Sequence, residues 1–373
     1  MNNETFSHKV GDELELSIEK LTPNGGRGLA RHEGFVFFVP FSVPGDVVKA
    51  RITKLKKSFA EASVVDIIKS SEDRVDPECD YFGRCGGCSL QMVSTEYQEK
   101  IKQSFIKEMT HRLGLDSEKI LKPLVGSPKD FRYRNRVQLH QKGKDLGYYK
   151  KESHTLVSVE DCLIADTRLT DKFEELRKEN KRRRFELALT ENEEVIVRDE
   201  KQKSFKNLFF SQVNEGVNRK LKEHLQTVVS GLSLKGDHAL DLYAGSGNLS
   251  EILQKYFKNV TAVEMSRSSV KNGQSKLKDV NFKCQSVDKF LKENTKDYDL
   301  VVMDPPRHGL DKASIEGLIS LNPENIIYIS CNPATLERDL RLLQGLFQVE
   351  HIKAFDMFPQ TSHIETFVHI KRS

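Results

Sequence analysis

From about residue 236 to the C-terminus, short apolar runs alternate with helical stretches. This rhythm constrains the fold more than any other feature of the chain. The runs are 239–243, 260–263, 300–303 and 326–330. Apolar runs this short, separated by helix-length segments, argue for βα units and a mostly parallel sheet. Three of them end on residues that carry chemistry: the glycine turn Asp241-Leu-Tyr-Ala-Gly-Ser-Gly247, the carboxylate of Asp304-Pro-Pro-Arg307, and the thiol of Ser330-Cys331. Open α/β sheets bind ligands at the C-terminal ends of their strands. The simplest reading is a cofactor site with a candidate covalent nucleophile, Cys331, beside it.

A chain of 373 residues predicts two or three domains. Its 37% hydrophobic and 31% charged residues fit a globular protein with a solvated surface. The net charge of +4 permits nucleic-acid binding without demanding it, so local patches must decide. No stretch approaches the ~20 apolar residues of a membrane-spanning helix. The first ten residues lack the apolar core of a secretion signal. A cytoplasmic, non-membrane protein is therefore expected, and a monomer is the default. In that compartment six cysteines point to metal or catalytic roles rather than disulfides.

Upstream of the α/β segment the pattern changes. Residues 9–68 carry short apolar segments (14–18, 34–39, 47–52, 63–68) between turn clusters, which predicts a small β-barrel. Lys49, Arg51, Lys54, Lys56 and Lys57 form a basic run there, either a solvated face or a phosphate-contacting one. Residues 94–113 predict a helix whose apolar stripe is Tyr97, Ile101, Phe105, Met109 and Leu113. Residues 131–140 alternate as a strand, with Arg132, Arg134 and Arg136 sharing one face. Three like charges in a row favour phosphate contact, with a solvated or salt-bridged face as the alternative. Lys181-Arg-Arg-Arg184 reads as an exposed helix or loop, and the isolated Cys284 as a core residue.

Cys79, Cys85 and Cys88 lie in Cys79-Asp-Tyr-Phe-Gly-Arg-Cys-Gly-Gly-Cys88, where glycines permit the tight turns that aim several sulfurs inward. Cys162 is a fourth candidate far downstream. Four thiolates can hold zinc or an iron–sulfur cluster, and spacing does not separate the two. In the C-terminal part, Ser250 stands where a dinucleotide fingerprint would place its third glycine. Glu264, at the end of the next apolar run, could accept hydrogen bonds from a ribose diol. The tetrad Asp304-Pro-Pro-Arg307 looks like the substrate-edge motif of methyltransferases. Arg307, where amine-methylating enzymes usually carry an aromatic residue, argues against an exocyclic amine as the target.

Together these residues resemble the RNA uracil-5-methyltransferase family, over nearly the whole chain. Gly25-Gly-Arg-Gly-Leu-Ala-Arg31 and Val43-Pro-Gly-Asp46 resemble a TRAM domain. Residues 79–91 resemble the family's iron–sulfur signature, with Cys162 at the fourth ligand's place. Phe131-Arg-Tyr-Arg-Asn-Arg136 and Phe209-Phe-Ser-Gln-Val-Asn214 resemble further family blocks. Ser330-Cys-Asn-Pro333 and Phe358-Pro-Gln-Thr-Ser-His-Ile-Glu365 resemble its two catalytic motifs.

The resemblance implies an α/β fold class in three parts. Residues 1–68 would be an OB-like TRAM β-barrel that binds RNA. Residues 69–205 would be a central α+β domain with a [4Fe–4S] cluster on Cys79, Cys85, Cys88 and Cys162. Residues 206–373 would be a Rossmann-like domain dependent on S-adenosylmethionine. Gln212, Tyr243, Glu264 and Asp304 would bind that cofactor, Cys331 would be the nucleophile, and Glu365 the base. The product would be 5-methyluridine, in ribosomal RNA by the lean of the TRAM barrel, with transfer RNA as the alternative. The stretch between Cys162 and Phe209 is short for the family, which implies a reduced RNA-binding surface there. An acid after the third strand would be Asp288, and whether it reaches the cofactor stays open. Two other readings remain: an inactive RNA-binding protein, and a methyltransferase acting on an amine of RNA or protein.

Overall fold

Alternating apolar residues close the first part of the chain into a barrel. The computed structural model describes residues 8–190, 192–200, 212–232 and 236–373. Strands β1 (Glu13–Leu21), β2 (Gly28–His32), β3 (Phe35–Val39), β4 (Val47–Leu55) and β5 (Phe59–Lys69) form a closed barrel in the order β1-β2-β3-β5-β4. β3 and β5 run parallel while the other pairs are antiparallel. That is the Greek-key order of an OB-like barrel, as expected. Leu16, Ile18, Phe37, Val39, Val48 and Ile52 point inward at every second position and fill it. β2 was not anticipated. Its Gly28 is pressed so tightly that a Cβ would lie 2.0 Å from Ser42 Oγ, and the glycine-rich lead-in hid a strand with buried Leu29 and Ala30. The basic run of β4 does not stand free of acids: Lys49 and Arg51 share Glu13 of β1, and Lys54 faces Glu61 of β5.

The chain continues through helix α1 (Thr95–Arg112), the short α2 (Ser117–Ile120) and strand β6 (Leu121–Val125). The expected α1 stripe is buried at Ile101, Phe105, Met109 and Leu113. Next come β7 (Arg136–Gly143), β8 (Asp145–Tyr149), β9 (Leu156–Ser158), α3 (Thr167–Thr170), α4 (Phe173–Lys178), β10 (Lys181–Leu189) and β11 (Val195–Asp199). Their strands form an antiparallel sheet, β11-β10-β7-β8-β9, over a core that includes Val137, Leu139, Phe173 and Phe185.

Two expectations fail in this region, and the arginine face takes its salt-bridged reading. The strand begins at Arg136 rather than 131, because Arg132 takes a left-handed φ of 54°. Its arginines are matched internally: Arg132 bonds Asp161 (2.8 and 2.5 Å) and Arg136 grips Glu186. Lys181-Arg-Arg-Arg184 opens strand β10, with Arg183 on Asp199 and Arg184 on Glu200 of the neighbouring β11 side. The acids that neutralise these arginines are distant in sequence, so a local reading cannot name them.

The remaining elements are α5 (Glu215–Gly231), β12 (His238–Leu242), α6 (Ser250–Leu253), β13 (Asn259–Glu264), α7 (Arg267–Lys276), β14 (Val280–Cys284), α8 (Val287–Glu293), β15 (Leu300–Met303), α9 (Lys312–Leu321), β16 (Asn325–Ser330), α10 (Pro333–Leu343), β17 (Phe347–Phe355) and β18 (Glu365–Arg372). With β6 they make one sheet in the order β14-β13-β12-β15-β16-β18-β17-β6. β14 through β16 are parallel, and β18 lies antiparallel between β16 and β17. This is the doubly wound α/β sheet expected of the C-terminal part. β15 and β16 are buried at every residue, as strands covered on both faces must be. The strand order reverses between β12 and β15, which makes their C-terminal ends the switch point where such sheets bind ligands. Cys284, expected in the core, is exposed: β14 buries Val280 and Phe282, and the cysteine falls past the last covered position.

The chain packs as two units. One comprises Met1–Lys102, Asp130–Lys201 and Phe358–His363; the other comprises Gln103–Lys129, Gln202–Met357 and Ile364–Ser373. Phe209, Phe210 and Ser211 of one family-like block, and the expected 205/206 boundary, lie outside the described residues. No described helix is long and apolar enough to cross a membrane.

Candidate active site

β12 delivers the chain into a turn in which three residues take left-handed backbone: Tyr243 (φ 59°), Gly245 (55°) and Gly247 (89°). Gly247 has no room for a side chain, since a Cβ would lie 2.6 Å from Leu277 Cδ1. Gly245 is the reverse case, with nothing within 4 Å of where its Cβ would be, so a ligand can approach its backbone. The turn is tied to β13. Glu264 accepts from the Gly245 amide (3.0 Å) and the Ser266 amide (2.7 Å), so both carboxylate oxygens brace the loop. The Tyr243 hydroxyl donates to Ser314 of α9 (3.3 Å). Asp241 is fully buried beneath the turn and accepts from Ser250 Oγ at 2.5 Å. Burial pushes its carboxyl up to about 7, against the Ser250 hydrogen bonds.

Asp304 follows β15 on the other side of the switch point. Gln212 Nε2 lies 3.4 Å from its Oδ2, just ahead of Asn214, which caps α5 through the Val217 amide (3.2 Å). Burial and the Asp241 charge push Asp304 up to about 7. Asp288, in the first turn of α8, is held below the ordinary carboxylate range by Ser286.

Cys331 follows β16, and Glu365 opens the adjacent β18. Asn332 caps α10, accepting from the Ala334 amide (3.2 Å), and Pro333 occupies the first helical turn. Cys331 thus sits one residue before a helix N-cap, where the helix dipole favours an anion. Burial, then the Glu365 charge, push its thiol up to about 11, while Arg307 pulls it down. Glu365 is 2% exposed and lies well above the ordinary range through burial and Asp304, again opposed by Arg307. Nucleophile candidate, base candidate, Asp304 and Arg307 therefore act on one another directly. Deep carboxyls beside a thiol and one cation are the mark of a site whose protons are meant to move.

Arg307 was weighed from sequence only as evidence against an amine target, and its electrostatic place in the site was missed. So was the brace that sets it. The Arg307 carbonyl accepts from Asn332 Nδ2 (3.0 Å) and Thr335 Oγ1 (3.3 Å). Asp339 of α10, fully buried, accepts from the Leu310 amide (2.8 Å) and the Tyr328 hydroxyl (2.7 Å). The signal was available: Asp339 interrupts the apolar face formed by Leu336, Leu340 and Leu343.

Buried polar atoms without partners test whether a nucleoside-bearing cofactor fits. Asp241 Oδ1, Ser246 Oγ and Glu365 Oε1 are such atoms among the described residues, all carried by segments at the strand ends of this one sheet. Buried groups of this kind normally have partners, so their clustering suits a polar ligand laid over the glycine turn.

The four expected metal-site cysteines lie together in the other unit. None forms a disulfide, and all four are half-buried. Burial pushes Cys85 up to about 11 and Cys88 to about 12, and the charges of Cys79 and Cys162 add to both. Cys85 and Cys162 pack against the core beneath β7 and β8. Gly86 has to be glycine, because a Cβ would lie 2.7 Å from the Tyr149 carbonyl oxygen. Among the described residues, no three of these sulfurs fall within 4.8 Å of one another.

The second expected catalytic motif, residues 358–365, is divided between the units. Phe358–His363 belongs with the cysteine-bearing unit, where the Gln360 carbonyl accepts from the Ser89 (3.0 Å) and Leu90 (3.1 Å) amides. Gln98 and Gln360 exchange two hydrogen bonds of 2.9 Å. Glu365 belongs with the sheet.

The family model described as tRNA (Uracil-5-)-methyltransferase matches residues 177–293 and 281–373, more than half of the chain. The chain belongs to this family. It is a methyltransferase that uses S-adenosylmethionine to modify uracil C5 in RNA. A TRAM domain matches residues 8–65, the barrel. An RNA methyltransferase of Bdellovibrio bacteriovorus, described as uncharacterized, is 36% identical over 388 residues, spanning 97% of this chain and 96% of the relative. One from Protochlamydia amoebophila, described in the same way, is 30% identical and spans 93% and 95%. The crystal structure of Pyrococcus abyssi tRNA (uracil-54, C5)-methyltransferase in complex with S-adenosyl-L-homocysteine superposes with a TM-score of 0.74 at 24% identity, covering 95% of this chain and 99% of that one. That likeness establishes the fold.

Proposed function

We propose that this uracil-5-methyltransferase works through a transient covalent bond between Cys331 and C6 of the target uridine, with Glu365 as the base. Uracil C5 is too poor a nucleophile to accept a methyl unaided. S-adenosylmethionine supplies an electrophilic methyl on a sulfonium. Cys331 gives its proton to solvent and adds as thiolate to C6, and the C5–C6 π pair moves into an enolate. C5 then takes the methyl as the carbon–sulfonium bond breaks, leaving a neutral thioether. Glu365 removes the C5 proton, the C5–C6 double bond re-forms, and the thiolate departs. Arg307 favours the ionised state of both groups. The observation that carries this reading is Cys331 beside Glu365, Asp304 and Arg307 at adjoining strand ends. A uridine reaches such a buried thiol only when unstacked.

By the same reading, Gln212, Tyr243, Glu264 and Asp304 would hold the cofactor. Residues 1–68 hold RNA, 69–205 carry the cluster, and 206–373 do the chemistry, in a cytoplasmic monomer. Cys79, Cys85, Cys88 and Cys162 would hold a [4Fe–4S] cluster. The likeness of residues 79–91 to the family's iron–sulfur signature is what favours a cluster over zinc. The substrate we favour is ribosomal RNA, on the TRAM barrel; the family's transfer-RNA description is the observation favouring the alternative.

The deciding experiment is incubation with S-adenosylmethionine and RNA containing 5-fluorouridine. Fluorine cannot leave as a proton does, so a denaturant-resistant protein–RNA adduct should accumulate and vanish in Cys331→Ala. Equal adduct in that variant removes Cys331 as nucleophile, and no adduct with either protein supports the inactive RNA-binding reading. Glu365→Gln should form adduct with ordinary RNA and release product slowly; rapid turnover excludes its role. Mapping 5-methyluridine in ribosomal and transfer RNA, with and without the gene, decides the substrate.

A further inference from the structure

Three of the four cluster-site sulfurs have hydrogen-bond donors close in sequence. Cys79 faces the amides of Tyr81 and Phe82, Cys85 that of Gly87, and Cys88 the side chain of Gln91. Gln91 is fixed for this, because its Oε1 accepts the Cys79 amide at 3.2 Å. Cys162 reaches the site from far along the chain. Beside it stands Tyr148 of β8, packed against the same core as Cys85 and Cys162. The Tyr148 hydroxyl is shut off from solvent, and no group meets it in full hydrogen-bond geometry. After burial, the largest influence on it is the Cys162 thiol. A buried hydroxyl without a partner is costly, so its retention implies a partner. A phenol is protonated at neutral pH and can donate; a thiolate ligand accepts.

We propose that the Tyr148 hydroxyl donates a hydrogen bond to the Cys162 sulfur of the assembled iron–sulfur cluster and thereby sets its reduction potential. This rests on the cluster reading above. Hydrogen bonds to ligand sulfurs are among the levers that tune such clusters. The donor draws charge from the sulfur, which favours the electron-richer reduced state. Tyr148 is then a positioning and tuning residue and touches no reacting atom.

The test is spectroelectrochemical titration of anaerobically purified full-length protein. Tyr148→Phe should keep its iron and shift the midpoint potential to a more negative value. Site-specific replacement of Tyr148 by 3,5-difluorotyrosine, a stronger donor of nearly the same shape, should shift it the other way. Tyr149→Phe, on the neighbouring ring that stacks on His140, should leave it unchanged. Identical potentials for wild type, Tyr148→Phe and the fluorinated protein would overturn the proposal while leaving the cluster intact. Wild-type protein that binds no iron after anaerobic reconstitution would overturn the cluster reading and this proposal together. Should Tyr148→Phe lose iron on purification, the fluorinated protein still decides through the sign of its shift.

Discussion

At the scale of single residues, the site is governed by carboxyls held above their usual range. Asp304 sits at about 7 because it is buried and faces Asp241. A sulfonium beside it would favour its ionised form, whereas the neutral thioether product would not. The affinity for S-adenosylmethionine should therefore rise as pH increases through about 7, and that for S-adenosylhomocysteine should rise less. Calorimetric titration of both ligands from about pH 6 to about pH 8 checks this, with the difference removed in Asp304→Asn. Parallel pH profiles for the two ligands would place the sulfonium elsewhere.

Among elements, α10 does more than cover the sheet. Its N-terminus presents Cys331, its Asn332 and Thr335 hold the Arg307 carbonyl, and its Asp339 holds Leu310 and Tyr328. One helix thus fixes both the thiol and the loop after Asp304. Asp339→Ala strands two buried donors and should cost about 3 kcal/mol, whereas Tyr328→Phe removes one bond and should cost about 1 kcal/mol. Urea unfolding measures both. Methyl transfer should fall in the same order, because the Arg307 loop loosens as Asp339 lets go. Equal stability of the two variants would mean the buried carboxylate is not the anchor.

Across the whole molecule, stability near neutrality reflects opposing buried groups. His224, His351 and His369 cluster between α5 and strands β17 and β18, with His224 and His351 Nε2 atoms 3.2 Å apart. Burial first, then neighbouring cations and imidazoles, depress each to about 4. The unfolded chain takes up these protons near pH 6.5, earlier than the folded one. Their contribution is complete above about pH 6.5 and is lost as pH falls toward 4. Asp241, Asp304 and Glu365 act oppositely, because their folded forms keep protons that the unfolded chain releases. The histidine effect is therefore isolated by comparison. Relative to His351→Gln, wild type should lose stability progressively between about pH 6.5 and about pH 4. A gap independent of pH in urea titrations would exclude His351 as a contributor.

What the sequence determined by itself was local in its physics. Apolar runs of strand length located β12, β13, β15 and β16, because parallel strands are buried on both faces and leave continuous hydrophobic signatures. Glycines at 245 and 247, the acid at 264, Asp304, Cys331 and the cysteine-rich loop were legible for the same reason: each sits in a short segment whose chemistry is carried by its neighbours. Only the tertiary structure decided the pairings between distant positions. Arg132 with Asp161, Arg136 with Glu186 and Lys49 with Glu13 turned runs of like charge into matched ion pairs. β17 and β18 lack a continuous apolar run, so antiparallel pairing placed Glu365 beside the end of β16. Asp339 under the Arg307 loop and Tyr148 beside Cys162 were invisible for the same cause. A buried polar atom is defined by what surrounds it, and its surroundings come from residues that the chain sequence does not place next to it.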